Sequence, residues 1–336
     1  MATESSSESK SDPSIGARID NRLDSFSVVH RLLGLVALVA LLLALPQVLN
    51  DYHVQVLFIV FLFIVLGYGW NILSGFTGYI NFGYAGFVGL GAYVTVISVV
   101  DFGIPWYAAL VIAGISTAII GTLISAPILR LDGAYFAIAM LSLATAGQLA
   151  MSSDYLTPIT RGGSGISFFP ALSYTEQYYL AVVLAVGVGY ATYRLAKSPR
   201  GLRLLAIRED ELLASALGVK TTREKLTMML VHAGIAGIGG GLLAFNLSYV
   251  DPSTVFGLRY TELPIVMVLF GTAGSVLGPI IGGITFIFIS EALWASFPTL
   301  HQFFFGIAIM LVVMFMPRGL IERLKDRGYL PRRRSL

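Results

Sequence analysis

"NILSGFTGYINFGYAGFVGLGAYVTVI", Asn71 to Ile97, carries six glycines, two asparagines and no charge. Its flanks, "VQVLFIVFLFIVLGYGW" before and "SVV" after, are as apolar as the stretch itself. In water, each glycine inside a helix costs about 1 kcal/mol relative to alanine. Within a bilayer the same residue lets neighbouring backbones approach closely. It also marks places where a helix breaks, provided the freed backbone groups face protein or a watery cavity. The reading of this stretch therefore turns on the solvent.

Composition settles the solvent. Of 336 residues, 56% are hydrophobic and 12% charged, with a mean hydropathy of +0.80. Soluble domains carry about 25% charged residues. Apolar runs of spanning length recur along most of the chain, and the short alternating strands of a barrel do not. The chain is an all-α polytopic membrane protein. Absence of cysteine excludes disulfides, thiol catalysis and cysteine-ligated metals.

A crossing needs roughly 20 mainly apolar residues. That rule places crossings near 32–49, 54–73, 80–100, 105–129, 131–150, 177–196, 226–248, 261–273, 276–296 and 300–316. The count is about ten, and eight if a hairpin such as 261–296 is a buried excursion. With a cytoplasmic N-terminus, twenty of the 22 Lys and Arg residues fall in inside segments, leaving Arg161 and Arg259 outside. Such enrichment is the expected orientation signal and sets both termini in the cytoplasm. Residues 1–30, polar and serine-rich, read as a disordered tail without the basic start of a signal peptide. Residues 31–317 form the membrane domain, and 318–336 form a basic cytoplasmic tail.

The glycine cluster has two readings. One is tight helix packing; the other is a broken or re-entrant element beside a pathway. "LFGTAGSVLGPIIGGITF", residues 269–286, repeats the design, with Gly75-x-x-Gly78 echoed by Gly271-x-x-Gly274. Paired interrupted segments in two halves of a chain point to an internal repeat with the path at its interface. The candidate path residues are Gly75, Thr77, Gly78, Asn81, Gly83, Gly271, Thr272 and Gly274. The expectation fails if the two elements lie on opposite edges of the bundle.

"KSPRGLRLLAIREDELLASALGVKTTREK", Lys197 to Lys225, fills the largest inside loop. Glu209, Asp210 and Glu211 open a short helix where its dipole favours negative charge. Leu212, Leu213, Ala216 and Leu217 share one face, and Gly218 stops the helix. That apolar face must be covered, by this protein's own helix ends, by the lipid interface, or by a partner.

The loop resembles the coupling loop of ABC-importer permeases, written E-A-A, three residues, then G. "EDELLASALG" departs from it: the two alanines are out of register and no I-x-L-P element follows. It is more similar to the degenerate form in permeases of high-affinity branched-chain amino acid importers. "NILSGFTGYINFGYAGFVGLGAY", "LRLDGAYFAIAMLSLA", "AGIAGIGGGLLA" and "VMVLFGTAGSVLGPIIGG" resemble segments of that family in its usual order, spanning residues 71 to 283. What the resemblance implies is a helix, built from Glu209, Asp210, Glu211, Leu213, Ala216, Leu217 and Gly218, that docks into a groove on a cytoplasmic ATP-binding cassette subunit. It also implies a second homologous permease and an extracytoplasmic solute-binding protein as partners. Branched-chain amino acids are the implied substrate, and related permeases carry urea or short-chain amides.

No G-x-x-x-x-G-K-[ST] loop occurs, so ATP-Mg is expected on partner subunits and no cofactor on this chain. Its four histidines, His30, His53, His232 and His301, are scattered near different crossing ends, and no metal site, covalent catalysis or nucleic-acid partner is expected. His232 falls a turn or two inside a crossing, and Glu262 and Glu291 near the outer ends of others. A stand-alone secondary transporter or channel would instead carry an ionisable residue at a helix centre, which this reading does not find. A purely structural membrane subunit would leave the paired glycine breaks unexplained. The multi-pass chain is expected in the cell membrane.

Overall fold

A computed structural model describes residues 28–168 and 172–296, together with positions 303, 306, 307 and 310. Residues 1–27 of the expected N-terminal tail, the C-terminal tail and most of the tenth crossing lie outside the described residues, and residues 28–30 of the expected tail are helical. Nine of the expected crossings coincide with helices. In chain order these are α1 (Val28–Val48), α2 (Asp51–Trp70), α3 (Tyr84–Val100), α4 (Trp106–Ser125), α5 (Gly133–Met151), a one-turn α6 (Thr157–Thr160) and α7 (Tyr174–Lys197). There follow α8 (Pro199–Glu209), α9 (Glu211–Ala216), α10 (Thr221–Leu247), a short α11 (Pro252–Val255), α12 (Arg259–Gly271) and α13 (Gly278–Ser296). Among the described residues, six helical stretches are long and apolar enough to cross a membrane, and Val39–Val48, Tyr84–Val100 and Gly278–Leu293 are shorter apolar helices.

Two helices make the centre. α2 is apolar all round, as a helix surrounded by protein should be. The side chain of Asn50 caps its N-terminus by accepting from His53 N at 3.1 Å. α10 owes its central place to small residues. A Cβ on Gly240 would lie 2.0 Å from the Val88 carbonyl oxygen, and one on Gly237 2.7 Å from that of Ala113. α10 thus seats directly on the backbones of α3 and α4, the close packing that small residues permit within a bilayer. α5 and α7 expose most of their length, as outer helices do.

Loops gather at the two ends of the bundle, here called outer and inner after the expected orientation. At the outer end, Arg161 pairs with Asp101 at 2.9 Å. There too a two-residue strand β1 (Ile166–Ser167) lies antiparallel to β2 (Tyr249–Val250), with Ile166 opposite Val250. At the inner end, Tyr79, Leu129 and Asp132 gather around the 197–225 loop.

Between β2 and α12 the chain dips into the bundle. Phe256 packs on Gly89 of α3. Tyr260 stacks on Phe63 with centroids 6.1 Å apart, and Ala85 N donates to Thr261 Oγ1 at 2.8 Å. Helical structure runs unbroken from Asp51 to Gly75, and Phe63 is its midpoint. At 1.5 Å per residue, Phe63 lies about 18 Å from either end. The interrupted helix α12 therefore starts halfway through the bundle.

Candidate functional site

The two glycine breaks meet. α2 ends in a π-helical turn, Asn71–Gly75, which places Asn71 toward the second break. Asn71 Nδ2 donates to Ser275 O at 2.8 Å, and Gly274 N donates to Asn71 Oδ1 at 2.8 Å. A single buried amide thus satisfies both a donor and an acceptor that the second break leaves open. Gly78 and Gly274, the second glycines of the two spaced pairs, both sit at φ 78°. Gly75 approaches so closely that a Cβ there would lie 2.8 Å from Gly274 N.

Arg208, on α8, joins this contact from the inner end of the bundle. Its Nη1 donates to Gly75 O at 2.9 Å and to Ala273 O at 3.1 Å, one carbonyl from each break. Sequence reasoning counted Arg208 only as inside charge. Its position before the acidic cluster marks it as part of the loop and carries no signal for these distant partners.

The same loop grips the inner end at a second point. Glu211, the first residue of α9, accepts from Lys225 Nζ at 2.7 Å, and its other oxygen takes the Tyr79 hydroxyl. Lys225 also donates to Tyr79 Oη at 2.7 Å and Leu129 O at 3.2 Å, and lies 4.2 Å from the Tyr79 ring centre. Asp132 accepts from the same hydroxyl at 2.9 Å, and one phenolic proton can serve only one carboxylate at a time. Partial burial pushes the Glu211 carboxyl up, but hydrogen bonds from Lys225, Tyr79 and Thr221 outweigh it and hold the group below the usual carboxylate range. This cluster lines a cavity of about 1400 Å³ that opens at the inner end and also touches Thr77, Gly78 and Arg208.

The loop differs in detail from the expected single helix. Glu209 ends α8, and Asp210, extended at φ −159°, ψ 109°, separates it from α9. The Asp210 carboxylate caps α9 by accepting from Leu213 N at 2.9 Å. The acidic run therefore starts α9 one to two residues later than periodicity placed it, because Asp210 satisfies the free amide better as a cap than inside a helix. Gly218, at φ 88°, closes the turn by donating to Ser215 O at 2.9 Å. α8 buries Leu204 and Ile207 against the bundle, while Arg200 and Arg203 hold Glu224 at 3.3 and 2.9 Å. α9 does the reverse: Leu212 is 85% exposed, Leu213 58% and Leu217 76%, and Ala216 is exposed beside them. Its apolar face is not covered by this chain's own described helices.

The candidate path residues divide. Thr77 and Gly78 line the inner cavity. Gly75, Asn81, Gly83 and Gly271 are buried among other backbones. Asn81 Nδ2 donates to His232 Nε2 at 2.8 Å, and His232 Nδ1 donates to Gly69 O at 2.9 Å, which fixes a neutral tautomer with Nε2 as acceptor. Thr272 leaves α12 at φ 110°, a backbone that β-branched residues rarely adopt. Glu291 accepts from the Tyr52 hydroxyl at the outer end of α2, where sequence placed it.

Glu262 and Arg259 lie elsewhere than sequence placed them. Both were assigned to the outer end, and both sit on the first turn of α12 at half depth, exposed on the surface of the chain. The error has a physical cause: a re-entrant segment reaches mid-depth before it becomes helical, so counting 20 residues from the outer loop misplaces its charges. A central carboxylate therefore exists, and its supposed absence no longer separates an importer subunit from a stand-alone carrier.

Comparison with known proteins adds to this geometry. The family described as branched-chain amino acid transport system / permease component matches residues 52–314. The high-affinity branched-chain amino acid transport system permease protein LivM of Escherichia coli K12 is 29% identical over 326 residues, covering 88% of this chain and 76% of that protein. The probable LivM of Methanocaldococcus jannaschii is 24% identical over 63% of this chain and 67% of its own length. The LivH permease protein of Salmonella typhimurium is 24% identical over 77% and 91%. No solved structure matches at a significant level.

Proposed function

The chain belongs to the family of permease components of branched-chain amino acid transport systems, and from that premise we propose that it is the membrane-spanning subunit of an ABC importer. In this reading a solute-binding protein delivers a branched-chain amino acid from outside, and a second, homologous permease completes the path. ATP-Mg is bound and hydrolysed on separate ATPase subunits at the cytoplasmic face of the cell membrane.

The observation that carries the reading is the exposed apolar face of α9, held by residues that reach both glycine breaks. Leu212, Leu213 and Leu217 offer a docking surface. Behind them, Glu211 and Lys225 tie α9 to Tyr79, while Arg208 on the neighbouring helix bonds to both breaks. A partner that pushes on α9 would move the breaks through contacts a few ångströms long. The named relatives are permease proteins, which supports transport rather than covalent chemistry. The half-depth Glu262 favours one competing reading, a carrier that works alone.

Gentle-detergent purification of the tagged chain from its own membranes separates the two. Recovery with an ATPase subunit and a second permease supports the importer. Recovery alone, with solute movement in vesicles by this chain alone, contradicts it.

A further inference from the structure

α12 begins at half depth with two opposite charges on one exposed face. The guanidinium carbon of Arg259 lies 5.9 Å from the centre of the Phe63 ring, at the midpoint of the helical run Asp51–Gly75. Glu262 follows three residues later, and side chains at that spacing are neighbours on a helix, about 5–6 Å apart at Cβ. Both are exposed. Among the described residues neither forms an ion pair with the other or with any third group. Charges at the centre of a bilayer are expensive and face a bundle interior or a water-filled cavity. A face bearing two of them does not front lipid.

We propose that Arg259 and Glu262 form a station on the translocation path that reads a zwitterionic α-amino acid. The proposal rests on the importer reading above and names the substrate chemistry of its path. Arg259 offers a planar donor for the α-carboxylate, positioned by the buried Phe63 ring beneath it. Glu262 accepts from the α-ammonium. Leu258, 55% exposed on the preceding turn, supplies apolar surface for the side chain. A pair of opposite charges complements a zwitterion without adding net charge to the path. A neutral urea or amide gains far less from it, so the station selects between the two substrate classes considered for this family.

The test uses the assembled complex in proteoliposomes, with ATP inside and loaded binding protein outside. Leucine and urea uptake are measured for the natural chain and for Arg259→Gln and Glu262→Gln. Leucine uptake is expected to fall by about tenfold or more in each variant, the effect of losing one charge-assisted hydrogen bond, while the subunits still co-purify. The chain contains no cysteine, so Glu262→Cys introduces a single thiol. A membrane-impermeant methanethiosulfonate should label it from the aqueous side, and leucine should slow the labelling, a protection that a merely structural role would not produce. Absence of ATP-driven amino acid uptake by the natural complex would overturn the importer reading and the station with it. Uptake by the natural complex that both variants retain, or an introduced thiol that is unlabelled or unprotected in Glu262→Cys, would overturn the station alone.

Discussion

Replacing Arg208 with glutamine should separate ATP hydrolysis from uptake. The side chain bonds to both glycine breaks at once, through Gly75 O at 2.9 Å and Ala273 O at 3.1 Å. A hydrogen bond from a charged donor is worth about 1.5–3 kcal/mol. Here the Ala273 bond is solvent-exposed, so it counts toward the lower end. The pair together should then hold the loop to the breaks by about 3–4.5 kcal/mol, which is roughly a 150- to 2000-fold bias in a two-state coupling. Glutamine is shorter and uncharged and cannot span both carbonyls. In proteoliposomes the Arg208→Gln complex should hydrolyse ATP near the natural rate, while substrate moved per ATP falls by about tenfold or more. Subunit recovery on purification should not change, because Arg208 lies behind the exposed face of α9. Natural uptake per ATP in this variant would refute the transmission route through Arg208.

Other perturbations test neighbouring contacts. Leu212→Asp should abolish recovery of the ATPase with the tagged chain without lowering the thermal stability of the chain itself, because Leu212 is 85% exposed. Gly218→Val forces an L-residue into φ 88° where no neighbouring atom obstructs it, a backbone cost of about 1–2 kcal/mol; uptake should fall, and Gly218→Asn should retain more of it. Glu211 is held below its ordinary pKa of 4.5, so its contribution to docking α9 is complete above that value and is lost as the pH falls through the lowered one. Hydrogen exchange across residues 211–217 should accordingly stay constant from neutral pH to about 5 and rise only in stronger acid, whereas Glu211→Gln should raise it at every pH. Gly240→Ala would set a Cβ 2.0 Å from the Val88 carbonyl oxygen; overpacking of that kind costs about 1–3 kcal/mol and should lower the thermal midpoint in detergent.

Much of this architecture was legible because the bilayer imposes a simple rule. Apolar runs marked nine helices, six of them long enough to cross a membrane. The twin breaks were visible as a repeated glycine spacing, but the Asn71 amide that joins them was not among the candidate path residues. What escaped were long-range partners with no local signature. Nothing near Arg208 in sequence says that it reaches Gly75 and Ala273, 133 and 65 residues away. Asn81 is a candidate path residue by sequence, yet it spends its amide on His232, 151 residues on. The half-depth position of Glu262 was hidden for another reason: hydropathy counts residues, and a re-entrant segment does not advance 1.5 Å per residue.

Cross-linking from α9 decides whether that helix docks on an ATPase. In a chain without cysteine, Leu213→Cys on α9 and Tyr155→Cys, 96% exposed at the outer end, can each carry a photoactivatable thiol reagent. In native membranes the position-213 probe should yield an adduct with an ATPase subunit whose amount changes with nucleotide, and the position-155 probe should yield none with that subunit. An actively hydrolysing complex in which position 213 never captures the ATPase would contradict the coupling role of α9.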